Sequence, residues 1–163
     1  MSLVLTRHLV FDWGDTLMAD DPTRTDAMYL WPTVHLIPGA DTALAALSQK
    51  HVISLATGAS VSDESMVRRA LARVNIDQYF RHVISSKDVG ARKAEPAFWQ
   101  KVLERIGARP EEVTVIGDGF ESDVVRPTSL GMHAIWLNRR TAEDRTGERY
   151  VTIHALEELI VQE

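Results

Sequence analysis

Polar side chains follow several of the apolar runs that predict strands in this sequence. Three of them come directly after a run, and the fourth lies in the loop beyond one: Asp12, Thr57, Asp118 and Lys93. Because ligands bind beyond the carboxyl ends of the strands in an open parallel sheet, we expect these side chains to meet at one edge of the sheet. Together they offer a carboxylate nucleophile, a hydroxyl, an ammonium group and a second carboxylate.

Phosphoryl transfer is the chemistry that this set of groups suits best. Asp12 could attack phosphorus as a nucleophile, and Asp12 with Asp118 would supply the hard oxygen ligands that Mg²⁺ prefers. The ion would neutralise charge between an anionic nucleophile and an anionic substrate. Thr57 and the backbone amide of Gly58, just before a predicted helix, would bind phosphate oxygens, and Lys93 would add positive charge. Each residue alone also has a structural interpretation, as a turn, a cap or a surface group.

Short runs rich in β-branched residues alternate with amphipathic segments along the chain. The runs HLVF, HVISLA, HVISS, VTVIG and HAIWL predict five strands, and YVTI predicts a further edge strand. Helices are predicted for ADTALAALSQK, SDESMVRRALARV, EPAFWQKVLERIG, FESDVVRPTSLG and ALEELIVQ. Ser60 or Ser62 would cap the second helix, and Pro127 would bend or shorten the fourth. This alternation predicts an α/β fold with a parallel sheet covered by helices on both faces.

The composition of the chain excludes several classes of function. Its 163 residues are 45% hydrophobic and 25% charged, which is typical of one soluble domain. The net charge of −5 argues against a general nucleic-acid or membrane partner, and a chain without cysteine has no disulfide or thiolate site. We find neither a signal-peptide profile nor an apolar stretch of the roughly 20 residues that span a bilayer, and we expect a cytoplasmic protein.

Four ordered motifs, which extend over most of the chain, resemble those of the haloacid dehalogenase superfamily of hydrolases. They are VFDWGDTL, ISLATG, VGARKAEPAFW and VTVIGDGFESDVVRPTSLGMHAIWL. The resemblance implies a Rossmann-like three-layer α/β/α sandwich with five or six strands, and Mg²⁺-dependent hydrolysis of a phosphate monoester through an aspartyl-phosphate intermediate. It implies that Asp12 is the nucleophile and a metal ligand, and that Asp118 and the backbone carbonyl of Gly14 are further ligands. Asp123 would support the metal or orient Lys93.

The first motif departs from the family pattern at one position. Family phosphatases carry a second aspartate two residues after the nucleophile, as the general acid for the leaving group and then the base for water. This chain has Gly14 at that position and its carboxylate one residue later, at Asp15. General acid–base catalysis of this kind increases the reaction rate by about 10²–10⁴-fold. The shift is expected to turn Asp15 in a different direction. Either Asp15 substitutes directly, or a substrate or partner supplies the acid, or the enzyme favours good leaving groups.

The segment between the first motif and the first long helix is too short for a separate cap domain. Residues 18–37 offer only about 20 residues, so we expect a minimally capped single domain over residues 1–163 with an open cleft. A second copy of the chain could cover that cleft, and the substrate could be a small or a larger phosphorylated molecule. Trp13, Tyr29 and Trp31 are expected to pack locally, and Trp13 is the best candidate among them for substrate contact.

Three other functions fit part of the pattern. A catalytically weak or degenerate relative would bind phosphate or Mg²⁺ and act through partners. A dehalogenase-like hydrolase would also lack the second aspartate, although carbon–halogen chemistry does not need the acidic cluster GDGFESD. A receiver-like phosphoacceptor also uses an aspartate, a threonine and a lysine at strand ends. It would carry its phosphoacceptor on the third strand, whereas Asp12 follows the first.

Overall fold

The computed structural model describes residues 3–161 and contains one six-stranded parallel sheet. Met1, Ser2, Gln162 and Glu163, and with them the last residue of the predicted final helix, lie outside the described residues. The strands are β1 (His8–Phe11), β2 (Val52–Thr57), β3 (His82–Ser85), β4 (Val113–Gly117), β5 (His133–Leu137) and β6 (Tyr150–Ile153). Their order is β3-β2-β1-β4-β5-β6, and each neighbouring pair is parallel. The predicted parallel sheet is confirmed, with β6 at an edge.

Helices cover both faces of this sheet, which confirms the three-layer α/β/α sandwich. They are α1 (Ala40–Leu47), α2 (Glu64–Arg73), α3 (Ser86–Val89), α4 (Pro96–Ile106), α5 (Arg126–Ser129) and α6 (Glu158–Val161). Side chains alternate along β1: Leu9 and Phe11 join the buried cluster that includes α1, α2 and α6, while Val10 joins the cluster that includes α4. Strands that are buried on both faces explain the near-continuous apolar runs in the sequence. Within residues 3–161, no helix is both long enough and apolar enough to cross a membrane.

The second predicted helix begins later than expected. Asp63 caps it in place of the two predicted serines, and its side chain accepts a hydrogen bond from the Met66 N–H at 3.0 Å. Aspartate suits this position because its negative charge also interacts favourably with the helix N-terminus. Thr57 is therefore followed by an irregular segment, residues 58–63, and not directly by a helix.

The fourth predicted helix changes its geometry along its length. Phe120–Val125 form a π-helix, and α5 follows for four residues with Pro127 in its first turn. The π-helix packs closely on β4, because Gly117 ends that strand without a side chain. A Cβ atom on Gly117 would lie only 2.7 Å from the Asp123 Cβ atom, so the glycine allows the close approach. This contact fixes Asp123 at the carboxyl end of the sheet.

Residues 18–37, the insertion, pack on α2 and contain one turn of 3₁₀-helix, Met28–Leu30. Near its two ends the Ala19 N–H donates to the His35 carbonyl at 2.9 Å. Arg73 of α2 donates to the Trp31 carbonyl at 2.6 Å and to two further carbonyl groups of the insertion, at 3.2 and 3.3 Å. These bonds tie the insertion to itself and to the sandwich.

Candidate active site

A buried lysine lies between two aspartates at the carboxyl end of the sheet. The Lys93 Nζ atom is 2.7 Å from Asp12 Oδ1 and 2.6 Å from Asp123 Oδ1, and only 7% of the lysine side chain is exposed. Asp12 follows β1, Asp123 lies in the π-helix, and Lys93 lies in the loop between α3 and α4. Three segments that lie far apart in the sequence thus bring these charged side chains together as one ion triad.

An indole ring holds the backbone around this triad. Trp99, near the start of α4, donates from Nε1 to the Lys93 carbonyl at 2.9 Å and to the Ser122 carbonyl at 3.1 Å. The Gly119 N–H donates to Asp123 Oδ2 at 3.0 Å. Trp99 is fully buried, so it joins the lysine loop to the π-helix from within the core.

Thr16 connects Asp12 to the second carboxylate of the site, Asp118. Its buried hydroxyl lies 3.0 Å from Asp12 Oδ2 and 3.3 Å from Asp118 Oδ1, and it accepts the Asp118 N–H at 3.1 Å. Because a hydroxyl has one proton, it can donate to only one of the two carboxylates at a time. Trp136 of β5 donates from Nε1 to the Asp118 carbonyl at 3.0 Å, which holds Asp118 from its other side.

The close packing of these groups shifts their pKa values. Burial opposes the charge on Asp12, but Lys93 and hydrogen bonds with Asp118 and Lys93 outweigh it and lower the pKa of Asp12. Burial and the neighbouring Asp12 raise the pKa of Asp118 to about 8 and that of Asp123 to about 7. Burial also opposes the charge on Lys93, yet Asp12 and Asp123 raise the lysine pKa above its ordinary value. Asp12 and Lys93 are therefore an ion pair at neutral pH.

The carboxylates of the site fit a divalent cation. Asp12, Asp118 and Asp123 each offer one oxygen, and these three oxygens lie within 4.8 Å of one another. Hard carboxylate oxygens are the ligands that Mg²⁺ prefers. Burial and the neighbouring carboxylates raise the pKa of Asp118, and a bound cation would offset both by favouring its ionised form. Both oxygens of Asp123 have fixed partners, Lys93 and the Gly119 N–H. Asp12 Oδ2 and Asp118 Oδ1 share the single proton of the Thr16 hydroxyl, so Asp12 and Asp118 are the better placed of the three to bind an ion directly.

A cavity of about 510 Å³ adjoins Asp12, and we call it the nucleophile cavity. Five of the predicted site residues line it: Asp12, Trp13, Gly14, Thr57 and Gly58. The insertion contributes much of the remaining wall. The Thr57 hydroxyl accepts the Ala59 N–H at 3.2 Å, which leaves its own proton available for a phosphate oxygen. Trp13 is largely buried and donates from Nε1 to the Met18 sulfur at 3.2 Å, so it packs locally as well as lining the cavity.

The side chain of Asp15 lies apart from the nucleophile cavity. Asp15 has a left-handed backbone conformation (φ 60°), which aspartate tolerates better than most residues, while Gly14 lies outside that region. Its Oδ1 accepts the Asp20 N–H at 3.0 Å, and its Oδ2 is 3.7 Å from an Arg140 guanidinium nitrogen. Asp15 lines a second depression, of about 300 Å³, together with Asp118 and Arg140. Its acid–base role stays a prediction that this placement does not favour.

Sequence reasoning missed three residues that hold the site together: Thr16, Trp99 and Trp136. Thr16 stands in the first motif, four residues after Asp12, and that short spacing was the available signal. The two tryptophans stand in a predicted helix and a predicted strand, and both are buried. Their indole N–H groups could have indicated more, because a buried tryptophan usually finds a hydrogen-bond acceptor.

Comparison with protein families gives one match over most of the chain. The model described as haloacid dehalogenase-like hydrolase matches residues 26–125, which is more than half of the 163 residues. The matched range includes Thr57, Lys93, Asp118 and Asp123. It begins after the first motif, so the unusual order of Gly14 and Asp15 lies before it.

Individual relatives agree with this match. A glyceraldehyde 3-phosphate phosphatase from Pyrococcus furiosus is 28% identical over 103 residues, which are 62% of this chain and 41% of that protein. The structure of a HAD phosphatase from Thermococcus onnurineus matches with 30% sequence identity and a TM-score of 0.65. The match covers 77% of this chain and 57% of that chain. An uncharacterized protein from Listeria monocytogenes serotype 4b shares the fold, with a TM-score of 0.82 and 23% identity. That match covers 97% of this chain and 98% of the other chain. The chain thus spans less than half the length of the curated relative.

Proposed function

Because the chain belongs to the haloacid dehalogenase-like hydrolase family, we propose that it is a Mg²⁺-dependent phosphatase that acts on phosphate monoesters, small or larger. One observation carries this proposal. The Asp12 carboxylate pairs with Lys93 at 2.7 Å and lies within 4.8 Å of oxygens of Asp118 and Asp123. The phosphatase names of two relatives support it. The additional carboxylates favour metal-assisted phosphoryl transfer over carbon–halogen displacement, which does not need them.

Asp12 is the nucleophile of the proposed reaction. Its lowered pKa keeps the carboxylate ionised at neutral pH. One carboxylate oxygen attacks phosphorus, the bond between phosphorus and the ester oxygen breaks, and the alcohol leaves. Water then attacks the phosphorus of the aspartyl phosphate, which releases inorganic phosphate and restores the Asp12 carboxylate.

The neighbouring groups bind the phosphate and offset its charge. Thr57 and the Gly58 amide face the nucleophile cavity and would donate to phosphate oxygens, and Lys93 adds a fixed positive charge. Asp123 positions Lys93 through their 2.6 Å contact. Mg²⁺, when bound by Asp12, Asp118 and the Gly14 carbonyl, would neutralise charge that otherwise keeps the nucleophile and the phosphate apart.

Hydrolysis of p-nitrophenyl phosphate by the wild type and by Asp12→Asn tests this function. We expect turnover with millimolar Mg²⁺, loss of turnover with EDTA, and a loss of at least about 10³-fold in Asp12→Asn, because a carboxamide does not attack phosphorus. Asp41→Asn, an exposed aspartate on α1, is the matched control and should keep full activity.

A broader panel of phosphate esters, which includes glyceraldehyde 3-phosphate, tests the substrate class. If no member is hydrolysed although calorimetry detects Mg²⁺ binding, the proposal is wrong. The chain would then be a phosphate- or Mg²⁺-binding protein that acts through partners.

A further inference from the structure

The space beside Gly14, where the usual second carboxylate is missing, is occupied by Asp20. A Cβ atom built on Gly14 would lie 3.4 Å from the Asp20 Cβ atom, 3.6 Å from its Cγ and 3.7 Å from its Oδ2. A side chain at position 14 would thus extend into space beside the Asp20 carboxylate. Asp20 also lines the nucleophile cavity together with Asp12 and Thr57. The insertion therefore supplies a carboxylate close to where a residue-14 carboxylate would stand.

The displaced Asp15 helps to place Asp20. The Asp15 N–H donates to the Met18 carbonyl at 2.6 Å, which closes the turn after Gly14. The Asp15 Oδ1 atom then accepts the Asp20 N–H at 3.0 Å. Asp20 Oδ1 accepts the Asp21 N–H at 2.8 Å, so one oxygen is occupied by the backbone. The other, Oδ2, is the oxygen that lies nearest to Gly14.

A second carboxylate of the insertion, Asp26, also lines the cavity but is already bound. Arg24 donates to both of its oxygens, from Nε at 2.9 Å and from a terminal nitrogen at 2.7 Å. Asp15 is bound by the Asp20 N–H and lines the other depression. Of the carboxylates beside Asp12 in the cavity wall, Asp20 is the one with an oxygen, Oδ2, within 3.7 Å of the position that a Gly14 side chain would take.

We infer that Asp20 is the general acid and base of the reaction proposed above, on which this inference rests. As Asp12 attacks phosphorus, the electron pair of the breaking P–O bond goes to the ester oxygen, and the protonated Asp20 carboxyl gives that oxygen its proton. The Asp20 carboxylate then takes a proton from the water that attacks the aspartyl phosphate. Each cycle converts ester and water to alcohol and phosphate and returns both aspartates to their starting forms.

Asp20→Asn tests this role through the leaving group. An alkoxide needs a proton to leave and p-nitrophenolate does not. We expect kcat/KM for an alkyl phosphate to fall by about 10²–10⁴-fold, while kcat/KM for p-nitrophenyl phosphate changes little. The second step still lacks its base, so a burst of p-nitrophenolate, equal in amount to the enzyme, should precede slow turnover. Asp21→Asn is the matched control, because Asp21 follows Asp20 directly in the chain but does not line the nucleophile cavity, and it should show neither effect.

Restoring a carboxylate at position 14 gives a second, independent test. Gly14 lies outside the left-handed region, so it accepts a side chain. Asp20→Ala keeps the Asp20 Cβ atom, at the ordinary contact distance of 3.4 Å, and removes the Cγ and Oδ2 atoms that would lie beside the new carboxylate. We expect Gly14→Asp in the Asp20→Ala background to recover at least about tenfold of the alkyl phosphate activity that Asp20→Ala loses.

The outcomes separate this inference from the proposed function. Equal losses on both substrates without a burst would mean that Asp20 is structural, and no loss on either would mean that it is not involved. Either result overturns the assignment of Asp20. The proposed phosphatase function still stands in that case if the wild type hydrolyses p-nitrophenyl phosphate and Asp12→Asn does not. If the wild type does not turn over p-nitrophenyl phosphate, both proposals fall.

Discussion

At the scale of single residues, the site depends on an uncharged group, Thr16. Thr16→Val removes the hydroxyl that accepts the Asp118 N–H and lies between Asp12 and Asp118. We expect the free energy of unfolding to fall by about 1–3 kcal/mol, because a polar group inside the structure loses its partner. The affinity for Mg²⁺ should also fall, because Asp118 loses an anchor. Urea denaturation and titration calorimetry measure the two effects.

Thr16→Ser is the matched control for that change, since it keeps the hydroxyl and removes only a methyl group. It should retain most of the Mg²⁺ affinity. Wild-type stability and Mg²⁺ affinity in Thr16→Val would show that the hydroxyl has no structural part in the site.

The placement of Asp15 shows what a sequence motif can and cannot predict at this scale. The spacing from Asp12 predicts that the acid is displaced, because one residue in a tight turn redirects a side chain. The final direction depends on a φ of 60° at Asp15 and on the N–H of Asp20, five residues further on. Neither is encoded in the motif itself, so the role of Asp20 becomes visible only in three dimensions.

At the scale of elements, the insertion depends on one side chain of α2. Arg73→Ala removes the donors to three carbonyl groups of the insertion. We expect limited proteolysis within residues 18–37 to become faster, because this segment has little regular structure of its own. Hydrolysis of alkyl phosphates should fall more than that of p-nitrophenyl phosphate, because Asp20 belongs to the loosened segment.

Lys101→Ala on α4 is the control for this change, because the Lys101 side chain is 59% exposed and far from the insertion in sequence. It should alter neither the cleavage rate nor the substrate preference. Unchanged proteolysis in Arg73→Ala would mean that other contacts suffice to hold the insertion.

Most helices and strands could be predicted because local patterns of apolar and capping residues determine them. Strands buried on both faces read as apolar runs, and Gly107 ends α4 with a left-handed conformation (φ 70°). The π-helix at Phe120–Val125 could not be predicted in this way. It depends on the close approach of Asp123 to Gly117 and on the pairing of Asp123 with Lys93, which are tertiary contacts.

At the scale of the whole molecule, the buried carboxylates make the stability of the metal-free protein depend on pH. The folded pKa is about 8 for Asp118 and about 7 for Asp123, both above the ordinary value of 3.8. At pH values between the ordinary pKa and the raised pKa of each group, the native state holds more protons than the unfolded chain. The free energy of unfolding therefore falls as the pH rises through this range. With EDTA, we expect a lower melting temperature at about pH 8.5 than at about pH 6.5, measured by scanning calorimetry.

Mg²⁺ should raise the melting temperature more at the higher pH, because it binds deprotonated carboxylates. Burial lowers the pKa of His8 and of His82, so these two groups oppose the fall in stability with rising pH near the ordinary histidine value of 6.5. The hydrogen bond with the Asn138 carbonyl raises the pKa of His154, which adds to that fall, and Lys93 stays charged throughout the range. Asp118→Asn should reduce the pH dependence. A melting temperature that increases from the lower to the higher pH in EDTA would contradict the shifted carboxylate values.

The fold class and the family could be predicted at this scale, but the geometry of the site could not. Alternating strands and helices predict a parallel sheet, and the four ordered motifs identify the family. Periodicity does not give the strand order, and it cannot tell that Thr57 and Gly58 share a cavity with Asp12 while Asp15 lies in the neighbouring depression. Those relations arise from packing between distant segments.

The central position of β1 also links the reactivity of the protein to its synthesis. β1 comes first in the chain but pairs with both β2 and β4. Asp12 is separated by 81 residues from Lys93, and Thr16 by 102 residues from Asp118. A nascent chain therefore carries the proposed nucleophile long before the lysine and the second carboxylate that surround it in the folded protein. Since such distant contacts form slowly in folding, we expect the proposed activity to arise only when the sheet closes, and an incomplete chain to carry an inert aspartate.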